Sequence, residues 1–386
     1  MKLIAKTLFG LEPLLENELR GFGAKNITIL NRAIEFEGDL ELLYKVNIHS
    51  RIAARILVPF AQFMARNEKE LYTKINKIDW SKYLSNDKTF VIGSTTYGDV
   101  FTHSQFAALK AKDAIVDQFR ERTGARPSVD TENPDLYINL HISGNDVSMA
   151  LDSSGDALNK RGYRTESNEA PINEILAAAM IKMSQWGEST TLLDPMTGSG
   201  TIAIEAALID QRIAPGLNRS FGFQKWQDYD EALFTKLIAT AKEAIRPPTR
   251  AIVARDFNMG CLSIARRNAT RAGVVDAIVF DCVDFKKSEP VAESGLIIIN
   301  PPYGERLEEK LDMDQLYHDI GFRLKHHYPN HTVWIISSNM DAMKRIGLKP
   351  SERVKIFNGQ LECRYNKYEL FKGKRIEHLI NKTETE

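Results

Sequence analysis

Residues 191–208 read Thr191-Leu192-Leu193-Asp194-Pro195-Met196-Thr197-Gly198-Ser199-Gly200-Thr201-Ile202-Ala203-Ile204-Glu205-Ala206-Ala207-Leu208, and their reading decides the fold. A short apolar strand stops at an acid, a glycine-rich turn follows, and a helix begins at once. Downstream, residues 251–254, 277–280, 296–299 and 332–336 are further apolar, β-branched runs, each separated from the next by helical patterning. Such alternation predicts an α/β unit: a doubly wound, mostly parallel sheet with helices on both faces. Residues 354–357 and 365–371, around Gly359, read as an antiparallel hairpin closing it. A stretch around 212–246, with Phe221, Phe223, Trp226 and Tyr229, lengthens the gap between the first two strands and reads as an insertion.

In a doubly wound sheet, ligands bind where loops leave the carboxyl ends of the strands. The first loop offers Asp194, Thr197, Gly198, Ser199 and Gly200. Its glycines let backbone approach a ligand closely. It has neither GxGxxG nor the GK[ST] of a phosphate loop. Its entrance acid suits a cationic amino-acid group better than a phosphate, which favours S-adenosylmethionine over NAD or ATP. Asp256 and Phe257 follow the second strand, where a carboxylate can accept from ribose hydroxyls. Asp284 and Phe285 follow the third, in reach of an adenine. After the fourth strand stands Asn300-Pro301-Pro302-Tyr303. The Asn300 amide oxygen and the Pro301 carbonyl are two acceptors suited to gripping an –NH₂ group. Tyr303 offers a face for a base to stack on. An amine inside a helix cannot enter such a pocket, so the base must be flipped or come from a loop. Methyl transfer from a sulfonium needs positioning rather than a strong base or a metal.

The N-terminal half reads as α+β. Strands over 3–8, 27–30, 33–36, 89–96, 136–142 and 146–151 are interleaved with helices that begin near Pro13, Leu40 and Leu71 and span 104–122. The last helix is expected to turn Phe106, Leu109, Ala114, Ile115 and Phe119 inward and Lys110, Lys112, Arg120 and Arg122 outward. A polar connector carries Lys160, Arg161 and Arg164 around Gly162 and Tyr163, and both basic sets are expected to face RNA phosphates. Cutting at residue 165 is expected to leave a catalytic part that folds alone. At 386 residues two or three domains are expected, with 43% apolar and 26% charged residues. Lys plus Arg and Asp plus Glu are both 51, so any nucleic-acid case rests on local patches. Cys261, Cys282 and Cys363 form no CxxC pair, and Pro329 interrupts the cluster of His326, His327 and His331, so no metal is expected. No apolar run is long enough to cross a bilayer, and Lys6 and Glu12 interrupt the only leader-like start; a cytoplasmic location is expected.

DPMTGSGT (194–201), RDFN (255–258) and NPPYGERL (300–307) resemble the class I S-adenosylmethionine methyltransferases that modify exocyclic nitrogens. With SGDALNKRGYR (154–164), APINE (170–174), IAPGLNRSFGFQKW (213–226) and LECRYNKYEL (361–370), the chain is similar over nearly its whole length to bacterial THUMP-containing rRNA guanine-N2 methyltransferases. Thr197 stands where that family often has a cysteine, a small-for-small change. The resemblance implies a ferredoxin-like domain at 1–64, a THUMP RNA-binding domain at 65–155, a connector at 156–170 and a class I catalytic domain at 171–386. It also implies an RNA substrate, 23S rRNA or a ribosome assembly intermediate, modified at guanine N2. A tRNA guanine-N2 methyltransferase is the nearest alternative. From another class stands a non-catalytic RNA-binding or ribosome-assembly factor, which the intact Asp194, Gly198, Gly200, Asp256 and Asn300 set argues against.

Overall fold

A computed structural model describes residues 1–164, 172–302 and 313–372. The chain divides into two compact units that exchange segments. One comprises Met1–Thr7, Leu15–Leu158 and Arg219–Thr240; the other comprises Leu8–Leu14, Asn159–Asn218 and the chain from Ala241 onward.

The first unit is built on one sheet. Its elements in chain order are β1 (Lys2–Lys6), α1 (Glu12–Phe22), β2 (Lys25–Leu30), β3 (Ala33–Glu37), α2 (Leu40–His49), β4 (Arg55–Met64), α3 (Glu68–Asn76), β5 (Thr89–Tyr97), α4 (Ser104–Thr123), β6 (Ser128–Val129), β7 (Leu136–Ser143) and β8 (Asp146–Asp152). The strand order β2-β3-β1-β4-β8-β7-β5-β6 makes β4 the shared member. It pairs with β1 at its start and with β8 along its length, bulging between Pro59 and Ala61. Thus the parts at 1–64 and 65–155 are continuous through one strand. Asp39 caps α2 by accepting from the Leu42 N–H, and Asn67 caps α3 in the same way. On α4 the buried stripe is Ala107, Ala111, Ala114, Ile115, Val116, Gln118 and Phe119. Phe106 and Leu109, expected inward, are 41% and 50% exposed. Small alanines let α4 lie close to α3, and that approach sets the stripe rather than the largest side chains.

The stretch read as an insertion in the catalytic half is largely a part of this first unit. Phe221, Phe223, Tyr229 and Phe234 gather around Tyr44, whose ring stacks on Phe223 at 4.2 Å. Lys225 donates to the carbonyls of Asn133 and Pro134. Conversely, Leu8–Leu14 belongs to the second unit, where Phe9 meets Phe357 edge-on at 5.4 Å. A cut at residue 165 therefore removes Leu8–Leu14 and Asn159–Arg164 from the second unit and leaves Arg219–Thr240 without the rest of the first.

The second unit adds α5 (Glu174–Met183), β9 (Leu192–Asp194), α6 (Thr201–Asp210), α8 (Met259–Arg271), β10 (Ile252–Asp256), β11 (Ile278–Cys282), β12 (Gly295–Ile299), α9 (Met313–His327), β13 (His331–Ser337), α10 (Met340–Arg345), β14 (Glu352–Asn358) and β15 (Leu361–Glu369), with α7 (Glu231–Glu243) mostly in the first unit. The sheet order is β11-β10-β9-β12-β13-β15-β14. The first five strands are parallel, and β15 and β14 add antiparallel at one side. Alternate residues enter opposite cores: Leu192, Ile252, Ala254, Leu296 and Ile298 on one face, Leu193, Val253, Ile297 and Ile299 on the other. Burial on both faces explains why these strands are nearly all aliphatic. The order runs outward from β9 through β10 on one side and β12 on the other, so the switch point lies between β9 and β12.

Gly321 in α9 packs so tightly on the end of α10 that a Cβ there would overlap the Ile346 carbonyl. Gly321→Ala is expected to cost at least about 2 kcal/mol of stability through overpacking. Denaturant unfolding checks this; an unchanged midpoint would contradict the tight α9–α10 contact.

Candidate functional site

Register places the candidate residues together. Asp194 ends β9 opposite Ala254 of β10, and Leu193 lies opposite Ile297 of β12. Asp256 and Asn300 then fall at or just beyond the same carboxyl edge. The glycine loop is held from three sides. Gly198 N–H donates to Asp256 Oδ2 at 3.0 Å, Thr197 N–H donates to the Arg255 carbonyl at 2.9 Å, and the buried Asn268 amide donates to the Ser199 carbonyl at 3.0 Å. Gly200 has φ +85°, and a Cβ on it would come within 2.9 Å of Ala265 Cβ. Only glycine allows both that turn and the approach of α8.

Asp194 is fully buried. Its Oδ2 accepts from Thr197 Oγ1 at 2.7 Å; the Met196 and Ala203 backbone N–H groups also face the carboxylate, but Oδ1 has no donor in good hydrogen-bond geometry among the described residues. Burial pushes its pKa up to about 7; the Thr197 bond opposes this and the Asp256 charge adds to it. A buried acceptor left unmet is costly, and a cationic group brought to the loop would satisfy it. Asp256 accepts on both oxygens, from Gly198 and from the Asn258 N–H at 3.0 Å. Beside it Phe257 is 76% exposed, a bare ring suited to cover an adenine. The residues thus fit S-adenosylmethionine: an acid to accept from the ammonium, an acid to accept from the ribose and a flat apolar face.

Asn300 follows Ile299, which is paired with Ile335 of β13. Its Oδ1 is shielded from water and accepts from no donor among the described residues. Pro301 is buried and Pro302 exposed. Behind the turn, buried Tyr317 shares a hydrogen bond with Ser337 Oγ at 2.7 Å and donates weakly, at 3.5 Å, to the Pro302 carbonyl. Burial pushes the Tyr317 pKa up to about 12, so its hydroxyl stays a donor. Tyr303 lies outside the described residues.

Other expected residues have partners of their own, although Val283 N–H donates to the Asp256 carbonyl at 3.0 Å and so keeps Asp284 near the site. Phe285 is buried and stacks on Tyr328 with centroids 5.8 Å apart, so its ring packs in the core and is not a bare face like that of Phe257. Asp284 is exposed and caps a single turn by accepting from the Lys286 N–H. In the connector, the expected RNA-facing role fails for two residues because they are inside the second unit. Arg161 Nε lies 3.6 Å from Glu205, with side chains 2% and 0% exposed. Arg164 donates to the Ile172 carbonyl and to Thr201 Oγ1, at 2.8 and 2.7 Å. Tyr163 is buried too, donating to Glu205. Lys160 is exposed. On α4, Lys112 pairs with Asp113, Arg120 with Asp117 and Arg122 with Asp79, while Lys110 lies over the Phe106 ring at 5.4 Å. Sequence reasoning missed Asn268, Tyr317 and Glu205. For Glu205 there was a signal: an acid in the middle of the apolar run 202–209 demands a buried cation.

Residues 161–367 match the family model described as RMKL-like, methyltransferase domain. Residues 65–152 match the THUMP domain, and residues 2–57 the RlmL ferredoxin-like domain. A Synechocystis protein provisionally named an RNA methyltransferase is 39% identical over 364 residues, 94% of this chain and 95% of that one. The ribosomal RNA large subunit methyltransferase K/L of Syntrophotalea carbinolica is 36% identical over 382 residues, 96% of this chain. That match spans 54% of the K/L protein, so this chain has about half its length. A solved structure of a provisionally assigned methyltransferase complexed with SAH is 30% identical, with a TM-score of 0.86 over 97% of this chain and 99% of that one.

The raised Asp194 pKa has a pH consequence. A carboxyl whose folded pKa lies above its unfolded value of 3.8 adds stability below that value, and the contribution is lost as pH rises through about 7. Asp194→Asn does not ionise, so the ligand-free variant should gain on the wild type as pH rises from 5 to 8, by up to roughly 2.5 kcal/mol. It should bind S-adenosylmethionine more weakly. Unfolding curves at several pH values check this; a pH-independent difference would show that Asp194 ionises normally.

Proposed function

This chain belongs to the RMKL-like methyltransferase family, with THUMP and RlmL ferredoxin-like domains, and we propose that it methylates an exocyclic base amine in RNA. The substrate is large-subunit ribosomal RNA, free or in an assembly intermediate, and the target is guanine N2. The methyl donor is S-adenosylmethionine, held by Asp194, Thr197, Gly198, Ser199, Gly200, Asp256 and Phe257. When bound, it supplies an electrophilic methyl group on a positively charged sulfur.

The observation that carries this reading is the unmet, water-shielded Asn300 Oδ1 beyond the switch point. Asn300 accepts one amine proton and the Pro301 carbonyl accepts the other. Holding both aims the nitrogen lone pair out of the base plane, and excluding water strengthens each bond. No strong general base is needed: the nitrogen becomes acidic only as the new bond forms, and its surplus proton is released to solvent after the transfer, as the methylated base leaves the pocket. A ring nitrogen such as guanine N7 has no proton to donate, so the acceptor pair selects an amine. Reaching it requires a flipped or looped-out base, with Tyr303 proposed as the stacking face. Lys110, Lys112, Arg120 and Arg122 are the proposed RNA-capturing face, since surface ion pairs such as theirs exchange at little cost. Supporting ribosomal over transfer RNA is the likeness to the K/L enzymes, 36–38% identical over at least 94% of this chain.

Asn300→Ala is expected to lower turnover by roughly 10²–10³-fold while S-adenosylmethionine affinity stays within about threefold. Labelled-methyl incorporation into large-subunit rRNA, with calorimetry on the same preparation, checks both. Near-normal turnover would place the amine grip elsewhere.

A further inference from the structure

The connector arginines bear on the cofactor loop. Arg164 reaches Thr201, the first residue after the last loop glycine, and its guanidinium also holds the Ile172 carbonyl and lies 3.4 Å from Glu174. Arg161, with Tyr163, meets Glu205. Thr201 and Glu205 are four residues apart on α6, hence on one face, one turn apart. The segment Arg161–Arg164 therefore grips the first turns of α6 at two points. Thr201 Oγ1 in turn stands 3.5 Å from Ser199 Oγ inside the loop.

Side chains this dry are a poor means of stabilising a fold. Burying an ion pair costs desolvation that attraction seldom exceeds, and apolar replacements are often as stable. What such a network supplies is geometry, because a guanidinium fork fixes several acceptors at once. Building on the cofactor reading above, we propose that Arg164 is a positioning residue for S-adenosylmethionine, setting the loop through Thr201, with Arg161 bracing the next turn through Glu205. Arg164 then touches neither cofactor nor RNA. Its effect is on how tightly the loop receives the cofactor, not on the transfer itself.

The test compares Arg164→Lys, which keeps a charge opposite Glu174 but loses the fork, with Thr201→Val, which removes only the hydroxyl that Arg164 holds. Both are expected to raise KM for S-adenosylmethionine about tenfold, with kcat at saturation within about threefold and KM for rRNA unchanged. The double variant should be little worse than either single one, as for two ends of one interaction. Wild-type melting temperatures with an unchanged cofactor KM would overturn the proposal. Lowered melting temperatures with an unchanged KM would do the same, by reducing the network to a structural role. A raised KM for rRNA would instead make Arg164 an RNA contact and also overturn it. Calorimetry on the wild type separates these from a failure of the cofactor reading, which would appear as no binding of S-adenosylmethionine at all.

Discussion

The hydrogen bond from Gly198 N–H to Asp256 Oδ2 joins the loop after β9 to the end of β10, and the candidate site depends on it. It works only because those strands are parallel neighbours, with Asp194 in register with Ala254. Given that register, the loop cannot drift from the second acid, and α8 can close on Gly200. The result is a turn of fixed shape with two carboxylates beside it, one fully dry and one tied to backbone donors. The dry one, Asp194, carries the cost: burial disfavours its ionised form. Local rules are broken in this way where a fold carries a functional site.

Asn300 shows the same logic on the other side of the switch point. An amide oxygen shielded from water with no donor among the described residues is a standing cost in the folded chain. Tyr317 and Ser337 support the turn from behind through buried hydroxyls. Unmet acceptors thus stand after both strands that flank the switch point, an acid at the end of β9 and an amide after β12.

The parallel sheet was legible because burial on both faces leaves little choice but aliphatic runs, and the register then followed from topology. The loop acids and Asn300 were legible because each stands where an apolar strand stops. Three things were not. Phe285 looked like an adenine contact by position, but an aromatic after a strand packs on whichever face has room, here against Tyr328. Arg161 and Arg164 looked like RNA contacts because a cation-rich polar stretch usually faces water. Their carboxylate partners, Glu205 and Glu174, stand further along the chain in segments whose packing against the arginines leaves no mark on the local pattern. The exchange of Leu8–Leu14 and Arg219–Thr240 between units was invisible for a related reason: sequence contiguity says nothing about which core an aromatic cluster completes.

The assignment of an exocyclic guanine amine in large-subunit rRNA is tested most directly by nucleoside mass spectrometry of rRNA from cells with and without this gene, with the position mapped by oligonucleotide digestion. One N2-methylguanosine should vanish from the large-subunit RNA, return when the wild-type gene is restored, and stay absent with a chain lacking the Asn300 amide. An unchanged large-subunit digest, with the loss appearing in transfer RNA or at a ring nitrogen, would contradict it.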